Sequence, residues 1–288
     1  TPLYSSAASD VYKRQLRTLV GLYLRPLGDW ISTADLVALA GDLGIPTAQA
    51  RTGVTRLKQK GLLLAERRHA VGYRLNPDAA TMLERGDRRI FEMREMTDAD
   101  SWCLISFSMP ESARATRHQL RRRLQWIGAG VVSPALWICP GHLQGEVLEI
   151  VDDLDASEWV TLFQAGTPTT ARTLPEAAAD WWDLDALCAE HLEFQSSLET
   201  LPAAPFAAYV QLIDRWRVLP YIDPGLPPSM LPADWPGRRS IAEFHRLSTE
   251  LSDAAWQRVR EVTGAEAAGA EATGAEATRA QVTGAGRS

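Results

Sequence analysis

The stretch TAQARTGVTRLKQ, residues 47–59, decides the fold reading of this chain. Wound at 3.6 residues per turn, it gathers Ala50, Val54 and Leu57 into one apolar stripe. Thr52, Thr55, Arg56 and Gln59 fall on the opposite face, flanked by Gln49 and Arg51. A face of Thr, Gln and Arg carries side chains that donate to phosphates and meet base edges in a major groove. Many surface helices share that pattern, so the flanking segments carry the discrimination.

Upstream, Ser32 or Thr33 can cap a helix running through Leu43, with Leu36, Val37, Leu39 and Ala40 on its apolar side. Gly44 ends that helix and Ile45 is buried in the turn. Pro46 opens the next helix, where its missing N–H costs nothing. Helix, short Gly-containing turn, helix is the arrangement of a DNA-reading motif. Beyond Gly61, Leu62 to Arg68 and Val71 to Leu75 form two expected strands joined at His69-Ala70. That hairpin is the expected wing, with Arg67, Arg68 and His69 as candidate contacts to phosphate or minor groove.

The chain has 288 residues, 45% hydrophobic and 23% charged, enough for two or three domains with an ordinary core. No apolar run reaches the length of a membrane span and no export leader is visible, so the expected location is the cytoplasm, away from membranes. Cys103, Cys139 and Cys188 are widely spaced and odd in number, which favours reduced thiols over a disulfide or metal framework. The net charge of −6 opposes nucleic-acid binding only until it is mapped. Lys13 to Arg94 holds fifteen Lys/Arg against eight Asp/Glu, so the acidic excess lies elsewhere.

Both ends fall outside the expected fold. Residues 4–15 (YSSAASDVYKRQ) show no helical or strand pattern, and 1–15 are read as a non-native leader. From Gly264 the chain repeats GAEAA and GAEAT; 263–288 form an expected disordered low-complexity tail without large apolar residues.

The expected architecture is α+β. An N-terminal winged helix-turn-helix covers 16–95, closing with a helix from Pro77 to about Glu95. A ferredoxin-like sandwich covers 96–173, in the order strand Trp102–Phe107, helix Glu111–Trp126, strands Val131-Val132 and Leu136–Cys139, helix His142–Leu154 and strand Trp159–Phe163. Two helices on one face of a four-stranded antiparallel sheet are predicted. A helical C-terminal domain covers 174–262, with helices at about 175–201, 205–217 and 239–262. Its Pro-rich stretch, Leu219 to Gly237, is expected to be a stiff, packed connector without regular structure.

The span from about Leu16 to Val262 resembles the PaaX family of bacterial transcriptional repressors. The matching pieces are LVGLYLRPLGDWIS (19–32), ARTGVTRLKQKGLL (50–63), LRRRLQWIGAG (120–130), PALWICP (134–140) and LPADWPGRR (231–239), the last after RWRVLPYIDPGLPPSM (215–230). The resemblance implies a homodimeric repressor of an aromatic-acid catabolic operon, typically for phenylacetate. It binds a double-stranded DNA operator and is released by an acyl-CoA thioester such as phenylacetyl-CoA, with no cofactor. Two departures from the family pattern stand out. Gly53 replaces the usual Ala inside the reading helix, at about 1 kcal/mol of helix propensity. Ile213-Asp214-Arg215 stands where family members often carry a His before an acidic residue, so the acyl group of the effector is open.

The aromatic density of the C-terminal half offers flat walls for an acyl group, and core packing explains each Trp equally well. Candidate effector-binding residues are Trp216, Arg217, Trp235, Arg238 and Arg239, the arginines for CoA phosphates. Arg121-Arg122-Arg123 reads first as a solvated stripe near a helix C-terminus. Catalysis finds little footing. The five histidines are scattered, Asp152, Asp153 and Asp155 fit an acidic helix end, and Gly128-Ala129-Gly130 is too short for a dinucleotide loop. The alternative, a metal-dependent nuclease built on the ferredoxin-like domain, needs a carboxylate where the first strand ends. That strand ends Phe107-Ser108-Met109.

Overall fold

A computed structural model describes residues 2–265. It is a mixed α and β structure with two small antiparallel sheets. The chain falls into two compact units, one formed by residues 1–92, 195–217 and 241–288, the other by 93–194 and 218–240. The segment 174–262, expected as one helical domain, is therefore shared between both.

In the first unit, α1 (Pro2–Tyr23) precedes β1 (Trp30–Ser32). Residues 4–15, expected to lack pattern, continue α1 without a break. Their Ser and Ala residues are compatible with a helix, which extends backward from the buried residues Gln15, Leu16, Leu19, Val20 and Tyr23. Ser32 caps α2 (Thr33–Asp42), its Oγ accepting from the Asp35 N–H at 3.0 Å. Gly44 makes the turn into α3 (Thr47–Gln59), and Pro46 is the extended N-cap rather than the first helical residue. The face of α3 turned inward is Ala50, Gly53, Val54 and Leu57.

Gly53 has a local reason. A Cβ there would lie 2.6 Å from Leu16 Cδ2, so the missing methyl lets α1 pack closely on α3.

The strands β2 (Leu63–Arg67) and β3 (Val71–Leu75) pair as an antiparallel hairpin, and β1 pairs with the other side of β3. Gly72 sits where β1 passes. A Cβ on it would come within 2.4 Å of the Ile31 carbonyl oxygen and 2.6 Å of Trp30 Cζ2. Backbone and a packed indole cannot both retreat, so Gly72→Val is expected to cost about 1–3 kcal/mol or more. A lowered urea midpoint checks it; a midpoint unchanged from wild type would contradict the close approach of β1.

A capped turn at Pro77–Ala79 leads into α4 (Ala80–Phe91). In the second unit, β4 (Trp102–Phe107), α5 (Arg114–Trp126), β5 (Gly130–Ser133), β6 (Leu136–Pro140), α6 (Gln144–Asp153) and β7 (Val160–Ala165) follow in β-α-β-β-α-β order. The sheet order is β5-β6-β4-β7, all antiparallel, with the first and third strands central. Alternation along β4 sends Cys103, Ile105 and Phe107 to one face, where Leu120 and Leu124 of α5 and Val147 and Val151 of α6 cover them. Cys103 and Cys139 are cross-strand neighbours and both are buried free thiols.

Trp102 and Ile138 point to the other face, for which local periodicity suggests no cover. It packs against Ala178, Trp182, Leu184, Leu187, Leu226 and Met230. The helix expected at 175–201 is two helices, α7 (Leu174–Trp181) and α8 (Leu184–Leu198). Between them Trp182 is extended (φ −125°, ψ 147°), and its indole N–H donates to the Gly128 carbonyl at 2.9 Å. A continuous helix would carry that indole away from this partner. The Pro-rich stretch is packed as expected, but it holds one helical turn, α10 (Leu219–Ile222), and a 3-10 turn at Pro228–Met230.

Two further helices complete the first unit: α9 (Pro205–Trp216) and, from Ile241 on, α11 (Gly237–Thr263). Tyr23 packs against Phe206 and, edge-on, against Trp256 at 4.8 Å. Apart from its first residues, the expected tail 263–288 lies outside the described residues.

Candidate nucleic-acid interface

The inner stripe of α3 is seated on α1 and α2, which fixes where its other side points. Gln49, Arg51, Thr52, Thr55, Arg56 and Gln59 are all exposed. The structure therefore brings the six candidates of this helix onto one solvent-facing surface. The two threonines are not idle in the free protein. Thr52 Oγ1 donates to the Ala48 carbonyl at 2.9 Å, and Thr55 Oγ1 to the Arg51 carbonyl at 3.0 Å. With its proton turned into the helix, each hydroxyl presents lone pairs outward and is set to accept rather than donate. Base amino groups of adenine or cytosine match that polarity; a phosphate oxygen matches it only after the hydroxyl rotates.

The hairpin places Arg67, Arg68 and His69 at its exposed tip. Trp30, which its place in the sequence does not single out, organises two of them. It lies under the Arg68 guanidinium, 5.6 Å from carbon to ring centroid, and meets the His69 ring edge-on at 4.6 Å. The Trp30 indole N–H also reaches the Glu66 carbonyl at 3.4 Å. A large aromatic in a three-residue strand reads as core until the strand pairing is known. Glu66 tempers the local charge, lying 3.4 Å from Arg68 and 3.8 Å from Arg74. Arg67 projects on the exposed side of the tip.

The five effector candidates are divided between the two units, Trp216 and Arg217 in the first and Trp235, Arg238 and Arg239 in the second. Trp216 is fully buried, stacked on Phe244 at 4.5 Å and 13°, with its indole N–H donating to the Ile90 carbonyl at 2.9 Å. The ring and its polar edge are committed to the core, which corrects its expected place in a ligand wall. Arg217 is engaged too, its Nε 3.1 Å from the Asp214 carboxylate. Trp235 is half-buried in the second unit, 5.7 Å from the His191 ring, and Arg238 and Arg239 are exposed. The His191 imidazole is itself buried against Asp223, Nε2 to Oδ2 2.8 Å.

Asp214, buried at the end of α9, accepts from Thr18 Oγ1 at 3.1 Å and lies 3.7 Å from Arg14. Thr18 and Arg14 belong to α1, so this carboxylate ties α1 to α9. No sequence spacing announces a partnership across 196 residues.

At the end of β4, the Ser108 N–H donates to the Trp159 carbonyl and no carboxylate stands in the Phe107-Ser108-Met109 run. Among the described residues no cluster of three or more His, Cys, Asp or Glu is placed to hold a metal ion, and no helix is long and apolar enough to cross a membrane.

Three family models match successive parts of the chain. They are a PaaX-like protein model over residues 15–79, the PaaX protein central Cas2-like domain over 95–176 and the PaaX-like protein C-terminal domain over 174–261. A curated relative, the transcriptional repressor PaaX of Escherichia coli (strain K12), is 25% identical over 265 residues, covering 85% of this chain and 82% of its own length. A solved structure, the uncharacterized protein Rv0674 from Mycobacterium tuberculosis, superposes with a TM-score of 0.59 at 23% identity. It spans 84% of this chain and 97% of that one, a likeness of fold.

Proposed function

The chain belongs to the PaaX family of transcriptional repressors, and from that premise we propose that it represses a phenylacetate-type catabolic operon by reading DNA with α3. Helices α2 and α3, with the β2–β3 hairpin as wing, are read as a winged helix-turn-helix. The observation that carries this is the exposure of the whole Gln49–Gln59 polar face while the apolar face of the same helix is sealed. Arg51 and Arg56 then meet phosphates or guanine edges, Thr52, Thr55, Gln49 and Gln59 add base-edge contacts, and Arg67, Arg68 and His69 grip the neighbouring backbone.

The protein acts as a cytoplasmic homodimer, because a two-fold pair of reading heads matches a pseudo-palindromic operator. It is a regulator rather than an enzyme. An acyl-CoA thioester, with phenylacetyl-CoA as the first choice, releases it from DNA. Trp235, Arg238 and Arg239 remain the residues suited to the thioester's acyl and phosphate groups. The thioester must bind the free protein more tightly by the same factor by which it weakens the DNA complex.

The test is an electrophoretic mobility shift on the promoter-proximal DNA at several salt concentrations, with and without phenylacetyl-CoA. Arg56→Ala is expected to weaken binding by about 1–3 kcal/mol and to relax sequence preference. Full affinity with unchanged preference would remove α3 from the interface. Release by no thioester would remove the effector and leave the DNA reading standing.

A further inference from the structure

The sheet of the second unit has two edge strands, β5 and β7, and only one of them is guarded. On β5 the ladder is irregular between Val131 and Ser133, and α7 packs against the strand. Irregularities and covering elements are what keep a sheet edge from pairing with another strand. The β7 strand, VTLFQA, keeps an unbroken register with β4 and carries no charge and no proline.

The ladder dictates which backbone groups of β7 look outward. The Ser108 N–H donates to the carbonyl of Trp159 directly opposite, a hydrogen-bonded pair of the antiparallel pattern. By alternation Thr161, Phe163 and Ala165 are the residues bonded to β4. Val160, Leu162 and Gln164 turn their N–H and C=O groups away from the sheet, where no backbone group among the described residues meets them.

Apolar side chains flank this open edge on both faces. Phe163 is 53% exposed and stands opposite Leu104, on the face away from α5 and α6. On the helix face, Leu148 of α6 is 46% exposed. Asp153 of α6 reaches Arg123 of α5, so Leu148, about 140° round the helix, lies on the flank turned from α5. That flank is the β7 side, because α6 leads from β6 to β7 whereas α5 leads from β4 to β5.

We propose that β7 pairs with β7 of a second copy of this chain, antiparallel about a two-fold axis at Leu162, joining two four-stranded sheets into one. A two-fold contact brings the same strand against itself, and antiparallel pairing satisfies that symmetry. The outward residues fix the register. Leu162 meets its own copy, Val160 meets the partner's Gln164, and each pair exchanges both backbone hydrogen bonds. Phe163 then faces the partner's Thr161 at a non-hydrogen-bonded position, where Cα atoms approach to about 4.5 Å. No like charges are brought together, since the strand carries none. The proposal rests on the homodimer proposed above and supplies its surface.

Sedimentation equilibrium of the full chain is expected to show a dimer. Phe163→Lys, at an exposed position, is expected to raise the dissociation constant at least about tenfold, because each dimer carries the change twice. The circular dichroism should stay unchanged. Thr161→Cys combined with Phe163→Cys is expected to give a covalent dimer on oxidation by copper phenanthroline. It should form faster than with either single change, because only the combination sets thiols directly opposite each other. A wild-type chain that stays monomeric removes the dimer reading and the proposal with it. A wild-type dimer that is equally tight in Phe163→Lys, or that gives no such cross-link, overturns the β7 placement and leaves the dimer reading standing.

Discussion

Replacing Trp216 by alanine is expected to lower the stability of the chain by about 3–5 kcal/mol, the cost of emptying a fully buried aromatic site. The indole is stacked on Phe244 and holds the Ile90 carbonyl, so the substitution removes dispersion attraction and orphans an acceptor together. Trp216→Phe should destabilise less, since a ring remains against Phe244 and only the hydrogen bond goes. Urea denaturation followed by circular dichroism separates the two variants. The contrast with a ligand-wall role is sharp. A wall residue would leave the midpoint in place and weaken phenylacetyl-CoA binding; the core residue described here does the reverse. An alanine variant as stable as wild type would contradict the stacked core.

The second large effect concerns affinity. Reversing both charges, Arg51→Glu with Arg56→Glu, removes two cations from the exposed face of α3 and sets two anions against the duplex. An arginine on a base or phosphate is worth about 1–3 kcal/mol, so specific binding should fall by more than about 100-fold at moderate salt. The slope of log affinity against log salt should flatten by about one for each phosphate no longer neutralised. Stability should change by no more than about 0.5 kcal/mol, because both positions are exposed. Persistence of specific binding in this variant would mean that another surface reads the DNA.

Periodicity carried much of the fold. The bounds of α3, the strands of the hairpin and the β-α-β-β-α-β order all follow from local spacing of apolar residues and turn residues. What local spacing cannot carry is a partner far along the chain. Trp182 breaks a helix-compatible run because its N–H reaches Gly128, 54 residues away. The second face of the β4–β7 sheet is buried by segments that look, on their own, like a separate helical domain. Residues 4–15 lack amphipathic contrast, and their helix is recognisable only as an extension of the buried Leu16–Tyr23 register.

The candidate interface divides the same way. Its α3 residues are legible because they share one helical face. Trp30 became part of it only when β1 was seen to pair with β3. Trp216 misled for a related reason: an aromatic beside arginines reads equally as ligand wall or as core, and only its enclosure decides. The basic run on α5 is likewise split by geometry, Arg123 toward Asp153 and Arg121 toward Pro134.

The carboxylate of Asp214 has a consequence for portability. It clamps Thr18 and Arg14 from the far end of the sequence, while Leu16, between them, fills the notch left by Gly53. The unit that carries α3 is thus a graft of distant chain segments rather than a detachable N-terminal bead. A truncation after residue 95 would strip the scaffold from behind it and take Phe206 and Trp256 from the ring of Tyr23. Conversely, anything that displaces α9 by a fraction of a turn arrives at α3 after one intervening link.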